Sequence, residues 1–138
     1  MFFSGTQSFR DASYAAASSS WQALVDLEEV PSEFERYKTN AYNNLGFLYF
    51  QGWGVQKDRD RAVNYWKVAA KVGHEESEYH LCHAYGDPLG PTPNPPLALE
   101  YCKEALHRYL QLTERRSVQE KIVDQLKRFI SELEEERR

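Results

Sequence analysis

No stretch of the 138-residue chain approaches the ~18 consecutive apolar residues that a membrane-spanning helix needs, so a membrane partner is not expected. Excess positive charge is missing as well. The chain sets 17 Lys plus Arg against 21 Asp plus Glu, a formal net charge of -4, which argues against a phosphate backbone and hence against nucleic acid as a partner. Cysteine is scarce: Cys82 and Cys102 are too few for a disulfide scaffold, and both fall at buried-type helix positions. Two free buried thiols are the first reading, and one inter-helix disulfide is the alternative. The N-terminal stretch MFFSGTQSFRDASYAAASSSW lacks the basic start and long apolar block of a secretory leader, so a cytoplasmic location is expected ahead of a periplasmic one. Catalytic signatures are missing too. There is no G-x-S-x-G and no phosphate loop, and Cys82 and His83, adjacent on a helix, would project about 100° apart, wrong for a nucleophile and its base. No enzymatic activity is expected and no cofactor is implied.

What the chain does have is aromatic residues and helical periodicity. Nine Tyr, seven Phe and three Trp supply much of its apolar surface, and its length suits one domain over residues 1–138. From Phe9 to about Leu27, the residues Tyr14, Ala17, Trp21, Leu24 and Val25 recur at three- and four-residue steps, predicting a first helix that ends before Pro31. Ser32 and Glu35 have the spacing of a capping box, which predicts a second helix from Pro31 or Ser32 to about Gln51. Its expected core stripe is Phe34, Tyr37, Ala41, Leu45, Leu48 and Tyr49. Gly52-Trp53-Gly54 ends that helix, and Asp58 is placed to cap a third, whose buried face is Ala62, Val63, Trp66, Ala69 and Ala70, with Gly73 closing it.

A shift of 36 residues then lays Leu45 on Leu81, Tyr49 on Tyr85, Gly54 on Gly90, Ala62 on Ala98, Tyr65 on Tyr101 and Ala69 on Ala105. One register aligns both helices and the turn, with Ser77 in place of Ala41, Cys82 in place of Gly46 and Cys102 in place of Trp66. The turn of the second copy, GDPLGPTPNPP, holds five of the six prolines and reads as a stiff connector; its two P-x-x-P spacings are also those of a ligand for an aromatic groove. A helix follows from Leu97 to roughly Leu112, and Ser117 with Glu120 offers a second capping box for a last helix bearing Val118, Ile122, Leu126, Phe129, Ile130 and Leu133 on one side.

The series Ala41, Leu45, Gly46, Tyr49, Gly52, Gly54, Val55, Asp58, Ala62, Trp66, Ala69, Ala70 and Gly73 resembles the SEL-one-like repeat, a relative of the tetratricopeptide repeat. Gly46 and Ala62 are expected to let the two helices approach closely, with Tyr49 and Trp66 filling the wider end of the pair. The resemblance implies an all-α fold, an α-α superhelix of helical hairpins, with a first repeat in 32–73 and a second in 74–112; it does not reach the flanks, where periodicity adds an N-terminal helix in 1–31 and a C-terminal capping helix in 113–138. It also implies a non-enzymatic interaction module or adaptor that binds a protein partner in a concave groove. A bacterial immunity or inhibitor protein neutralising one toxin is one alternative, and a self-associating structural subunit another.

In such arrays the first helix of each hairpin lines the inner surface. The outward residues there are Asn40, Asn43, Phe47 and Phe50 in the first repeat and Glu76, Tyr79 and His83 in the second, and these are the expected partner-binding set. Phe47 and Phe50 carry most of the expectation, because aromatics supply hot-spot energy; the competing reading is that the N-terminal helix folds over them. A zinc site drawn from His80, Cys82, His83, Cys102 and His107 lacks paired-ligand spacing and is not expected. Lys57, Arg59, Arg61, Lys67 and Lys71 read as a solvated helix face, with an acidic partner surface as the sharper alternative.

Overall fold

The computed structural model describes residues 4–136, and every regular element among them is helical. In order these are α1 (Ser4–Val25), a 3-10 turn (Ser32–Phe34), α2 (Glu35–Gln51), α3 (Arg59–Lys71), α4 (Glu75–Gly86), α5 (Pro95–Gln111) and α6 (Ser117–Glu136). They fall into two compact units, Met1–Val72 and Gly73–Arg138, each a helical hairpin with one further helix. No described helix is long and apolar enough to cross a membrane.

In the first unit α2 and α3 form the hairpin, and Ala41, Leu45, Leu48, Ala62, Val63, Trp66, Ala69 and Ala70 are buried as their spacing requires. The same stripe fails at its start. Phe34 and Tyr37 remain 46% and 53% exposed, Phe34 in the 3-10 turn and Tyr37 in the first turn of α2, with their rings 6.0 Å apart. The Ser32/Glu35 capping box does not form either: no side chain caps α2, whose first turn is continuous with the 3-10 turn instead. At the other end Gly52 takes the left-handed conformation (φ 73°) and donates its N–H to the Leu48 carbonyl at 2.7 Å. Gly54, also left-handed (φ 71°), sits so close to α1 that a Cβ there would lie 2.5 Å from the Ala15 backbone nitrogen. This glycine is what lets α1 lie down on the turn. Val25 joins Ala41 and Leu45 in the core, edged by Trp21, Leu24, Tyr42, Tyr49 and Tyr65.

Both hairpins close by the same hydrogen bond. Asp58 N–H donates to the Tyr49 carbonyl at 2.9 Å, and 36 residues later Asn94 N–H donates to the Tyr85 carbonyl at 2.8 Å. The donors are also the caps: the Asp58 carboxylate accepts from Arg61 N–H at 3.0 Å, and Asn94 Oδ1 accepts from Leu97 N–H at 3.2 Å. Equal loop length and equal capping chemistry thus give one closure from a glycine turn and a proline turn. Pro95 and Pro96 start α5 two residues ahead of the expected Leu97, occupying first-turn positions whose missing N–H groups cost nothing. Tyr49 pairs with Tyr65 (centroids 5.8 Å apart) and Tyr85 with Tyr101 (5.9 Å), repeating an aromatic contact in the same register.

The exception to this duplication is the middle of each hairpin. In the first, the Trp66 indole lies directly over Gly46, where a Cβ would meet Nε1 at 2.4 Å, and Nε1 donates to the Asn43 carbonyl at 3.1 Å. Gly46 is small to admit this ring, so Trp66 fills the tight centre and not the wider end. In the second, the equivalent Cys82 and Cys102 form a disulfide with Cα atoms 4.8 Å apart, correcting the reading as free thiols. A small residue under a large one has been exchanged for two medium residues joined covalently, each filling the same space between helices.

In the second unit α6 packs on α5 through Val123, Leu126 and Leu133, all buried, while Val118 is 54% exposed. The Ser117/Glu120 box gives way to a cap one residue earlier: Gln119 Oε1 accepts from Arg116 N–H at 2.9 Å, and Glu120 is drawn off to Arg115 at 2.7 Å. Lys103 and Glu134 bridge α5 and α6 at 3.2 Å.

Candidate functional site

The expected contact residues of the first repeat sit on α2, but they are not equally available. Asn43 is buried, 3% exposed, with its carbonyl taken by Trp66, so it belongs to the hairpin and not to its outer face. Asn40, Phe47 and Phe50 are half-buried. The Phe47 ring meets Trp53 edge-on at 5.3 Å, and Trp53 in turn stacks on Tyr14 of α1 at 5.3 Å. Phe50 lies against Trp66 at 5.3 Å and carries the Arg59 guanidinium 4.5 Å from its centroid. The N-terminal helix therefore reaches this face through the turn tryptophan and leaves part of both rings open.

Two of the five basic residues assigned to a solvated face have specific aromatic partners. Arg59 covers Phe50, and Arg61 lies 4.3 Å from the Tyr49 centroid while donating to the Tyr65 hydroxyl at 3.0 Å. That hydroxyl hydrogen bond holds the Arg61 guanidinium above its ordinary pKa. Tyr65 donates onward to Gln22 at 2.9 Å, tying α1 to α3.

On the second repeat Glu76 and His83 are exposed and Tyr79 is half-buried; Glu76 faces His80 at 3.6 Å, and Tyr79 and His83 touch α6. The Tyr79 hydroxyl donates to Gln125 Oε1 at 2.7 Å. His83 stands edge-on to Tyr79 (4.7 Å) and stacks on Phe129 (5.1 Å). Burial between these rings, with His80 nearby, pushes the His83 imidazole below its usual range, and burial raises the Tyr79 phenol. Sequence reasoning placed the capping helix correctly but did not foresee Phe129 reaching α4. The same-side spacing of Leu126, Phe129 and Leu133 was the available signal.

Chemically the surface offers little. With both sulfurs in the disulfide, His80, His83 and His107 have no thiolate beside them, and no cluster of three or more metal-type ligands occurs among the described residues. Among the described residues the strongly perturbed carboxyl is Glu78, fully buried between α4 and α5 with Arg108 Nε 2.7 Å from its Oε1. Burial and a hydrogen bond with Glu104 push its carboxyl up to about 7 against the pull of Arg108. It lies inside the hairpin, and its partners Glu104 and Arg108 line a surface cavity together with Lys103, His107 and Gln111.

The profile of the Sel1 repeat matches residues 39–74 and again residues 75–108. The chain belongs to the Sel1 repeat family. Its two Sel1 repeats begin 36 residues apart, the offset that superposes the two closing hydrogen bonds. Sel1 repeats are protein–protein interaction modules and are typically non-catalytic. No curated protein matches the chain.

Proposed function

We propose that this Sel1 chain is a non-enzymatic adaptor that holds a protein partner on the first-helix faces of its repeats. The contact set on α2 is Asn40, Phe47 and Phe50, and on α4 it is Glu76 with the exposed edges of Tyr79 and His83. The observation that carries this reading is the state of Phe47 and Phe50: half-open rings already clamped by Trp53, Trp66 and Arg59. Rings held this way lose little conformational entropy on binding, which is what a recognition hot spot needs. The test is capture of partners from the native host with the wild-type chain and with Phe47→Gln/Phe50→Gln. Loss of a specific partner by a variant of unchanged helical circular dichroism is expected, and full retention would refute the assignment.

The cross-link also bears on where the adaptor works. We infer an oxidising compartment, in place of the cytoplasmic location expected from the N-terminal composition, because disulfides persist there and are rare among reduced cytosolic proteins. Alkylation of the chain unfolded in denaturant at the moment of lysis, without reductant, tests this. Unmodified cysteines are expected, and complete alkylation of both would overturn it.

A further inference from the structure

Within the first unit the connector after α1, the start of α2 and the end of α3 border a half-open cavity of about 360 Å³. Val30, Tyr42, Val68 and Val72 give it apolar lining, and Val68 and Val72 remain open to solvent. Three carboxylates, Glu28, Glu29 and Glu35, line the same space. Among the described residues none of these three has an ion-pair or hydrogen-bond partner for its side chain. Two further polar side chains in the lining, Lys38 and Thr39, have partners of their own. The Lys38 ammonium donates to the Leu27 carbonyl, and the Thr39 hydroxyl donates to the Glu35 carbonyl at 3.1 Å. The cavity thus sets three carboxylates against one ammonium, a net negative field, beside an apolar lining. Its volume lies at the low end of the range for ligand sites, enough for one long side chain.

We propose that this cavity receives a basic side chain, carried on an apolar segment of a partner protein, at a surface separate from the α2 and α4 faces. An aliphatic stem suits Val68 and Val72, the cationic head suits the three carboxylates, and Tyr42 offers a ring face to the cation. Arginine is favoured over lysine because its planar fork pairs with carboxylates two bonds at a time and stacks on tyrosine. Neighbouring Leu27, Phe34 and Tyr37, all largely exposed, supply the apolar ground on which the flanking residues of the segment rest.

The test is a nuclear magnetic resonance titration of the full ¹⁵N-labelled chain with acetyl-Val-Arg-Val-Leu-amide. Its control is the same peptide with uncharged norleucine in place of arginine. Saturable shifts are expected at the amides of Thr39, Tyr42, Val68 and Val72, with affinity about tenfold weaker for the norleucine peptide. Glu28→Gln/Glu29→Gln/Glu35→Gln should bind both peptides alike and weakly, and Val68→Ser should weaken both in proportion. Phe47→Gln/Phe50→Gln should leave the titration unchanged, so the result is independent of the adaptor face. Equal binding of the two peptides, or silence at those four amides, would overturn the proposal. Concentration-dependent shifts of the same amides without peptide would also overturn it, by giving the surface to a second copy of the chain.

Discussion

Opening the Cys82–Cys102 disulfide should cost the second unit about 3 kcal/mol, since the bridge closes a loop with a sequence separation of 20 and the chain-entropy estimate for loops of that length is of this size. For a protein this long that corresponds to a fall in Tm of roughly 10 °C. The native core should survive the loss. Leu81, Ala84, Tyr85, Ala98, Leu99, Ala105 and Tyr109 stay buried around the site, so reduction should lower the transition without abolishing it. The assay is thermal and urea unfolding followed by far-ultraviolet circular dichroism, run on the oxidised chain, the reduced chain and Cys82→Ala/Cys102→Ala. The reduced chain should melt lower, and its urea m value should rise because the unlinked unfolded chain exposes more surface. The double alanine variant should ignore reductant. Both sulfurs are fully buried, so reduction under native conditions should be slow and should follow the rate at which α4 and α5 part. Coincident oxidised and reduced melts, or a double variant as sensitive to reductant as the wild type, would refute the reasoning.

Gly46→Ala should destabilise the first unit by about 1–3 kcal/mol, since its Cβ would lie 2.4 to 2.8 Å from three atoms of the Trp66 indole; urea unfolding reads this, and a neutral effect would mean the ring can move aside. Glu78 binds its proton more tightly folded (about 7) than unfolded (4.5), so the stability it contributes is full below pH 4.5 and lost as pH rises through 7. Glu78→Gln should remove that slope and gain up to about 3 kcal/mol at pH 8, and parallel stability–pH curves for the two proteins would count against it. His74 caps α4 by accepting from Ser77 N–H at 3.3 Å, and burial lowers its imidazole below the ordinary 6.5. Its contribution is therefore present above pH 6.5 and lost on acidification. His74→Asn should keep the cap and flatten the stability profile below pH 6.5, measured by acid titration of α4 amide protection.

Most of the fold was legible because a hairpin is specified locally. The 36-residue register, the Asp58 cap and the Gly52 stop depend on residues within one or two turns of each other, and all three stand in the structure. The misreadings share a cause. Ser32 with Glu35 and Ser117 with Glu120 have capping spacing, but a competitor took each position, a 3-10 turn in one case and Gln119 with Arg115 in the other. Phe34 and Tyr37 continue the apolar period of α2 but stay exposed at its start.

The candidate surface was legible in a weaker sense. Periodicity names the face on which Phe47, Phe50, Tyr79 and His83 lie, but it carries no information on what else approaches that face. Trp53 and Tyr14 arrive from a turn and from α1, and Gln125 and Phe129 from α6.

By itself, then, the sequence determined two Sel1 hairpins and their closures, because capping, turn chemistry and helical period are short-range. Only the tertiary structure decided that Cys82 and Cys102 are bonded, that Asn43 is buried under Trp66 and that α6 engages Tyr79 and His83. Each of these depends on distances between helices, and a helical period fixes the direction a side chain takes without fixing its neighbour.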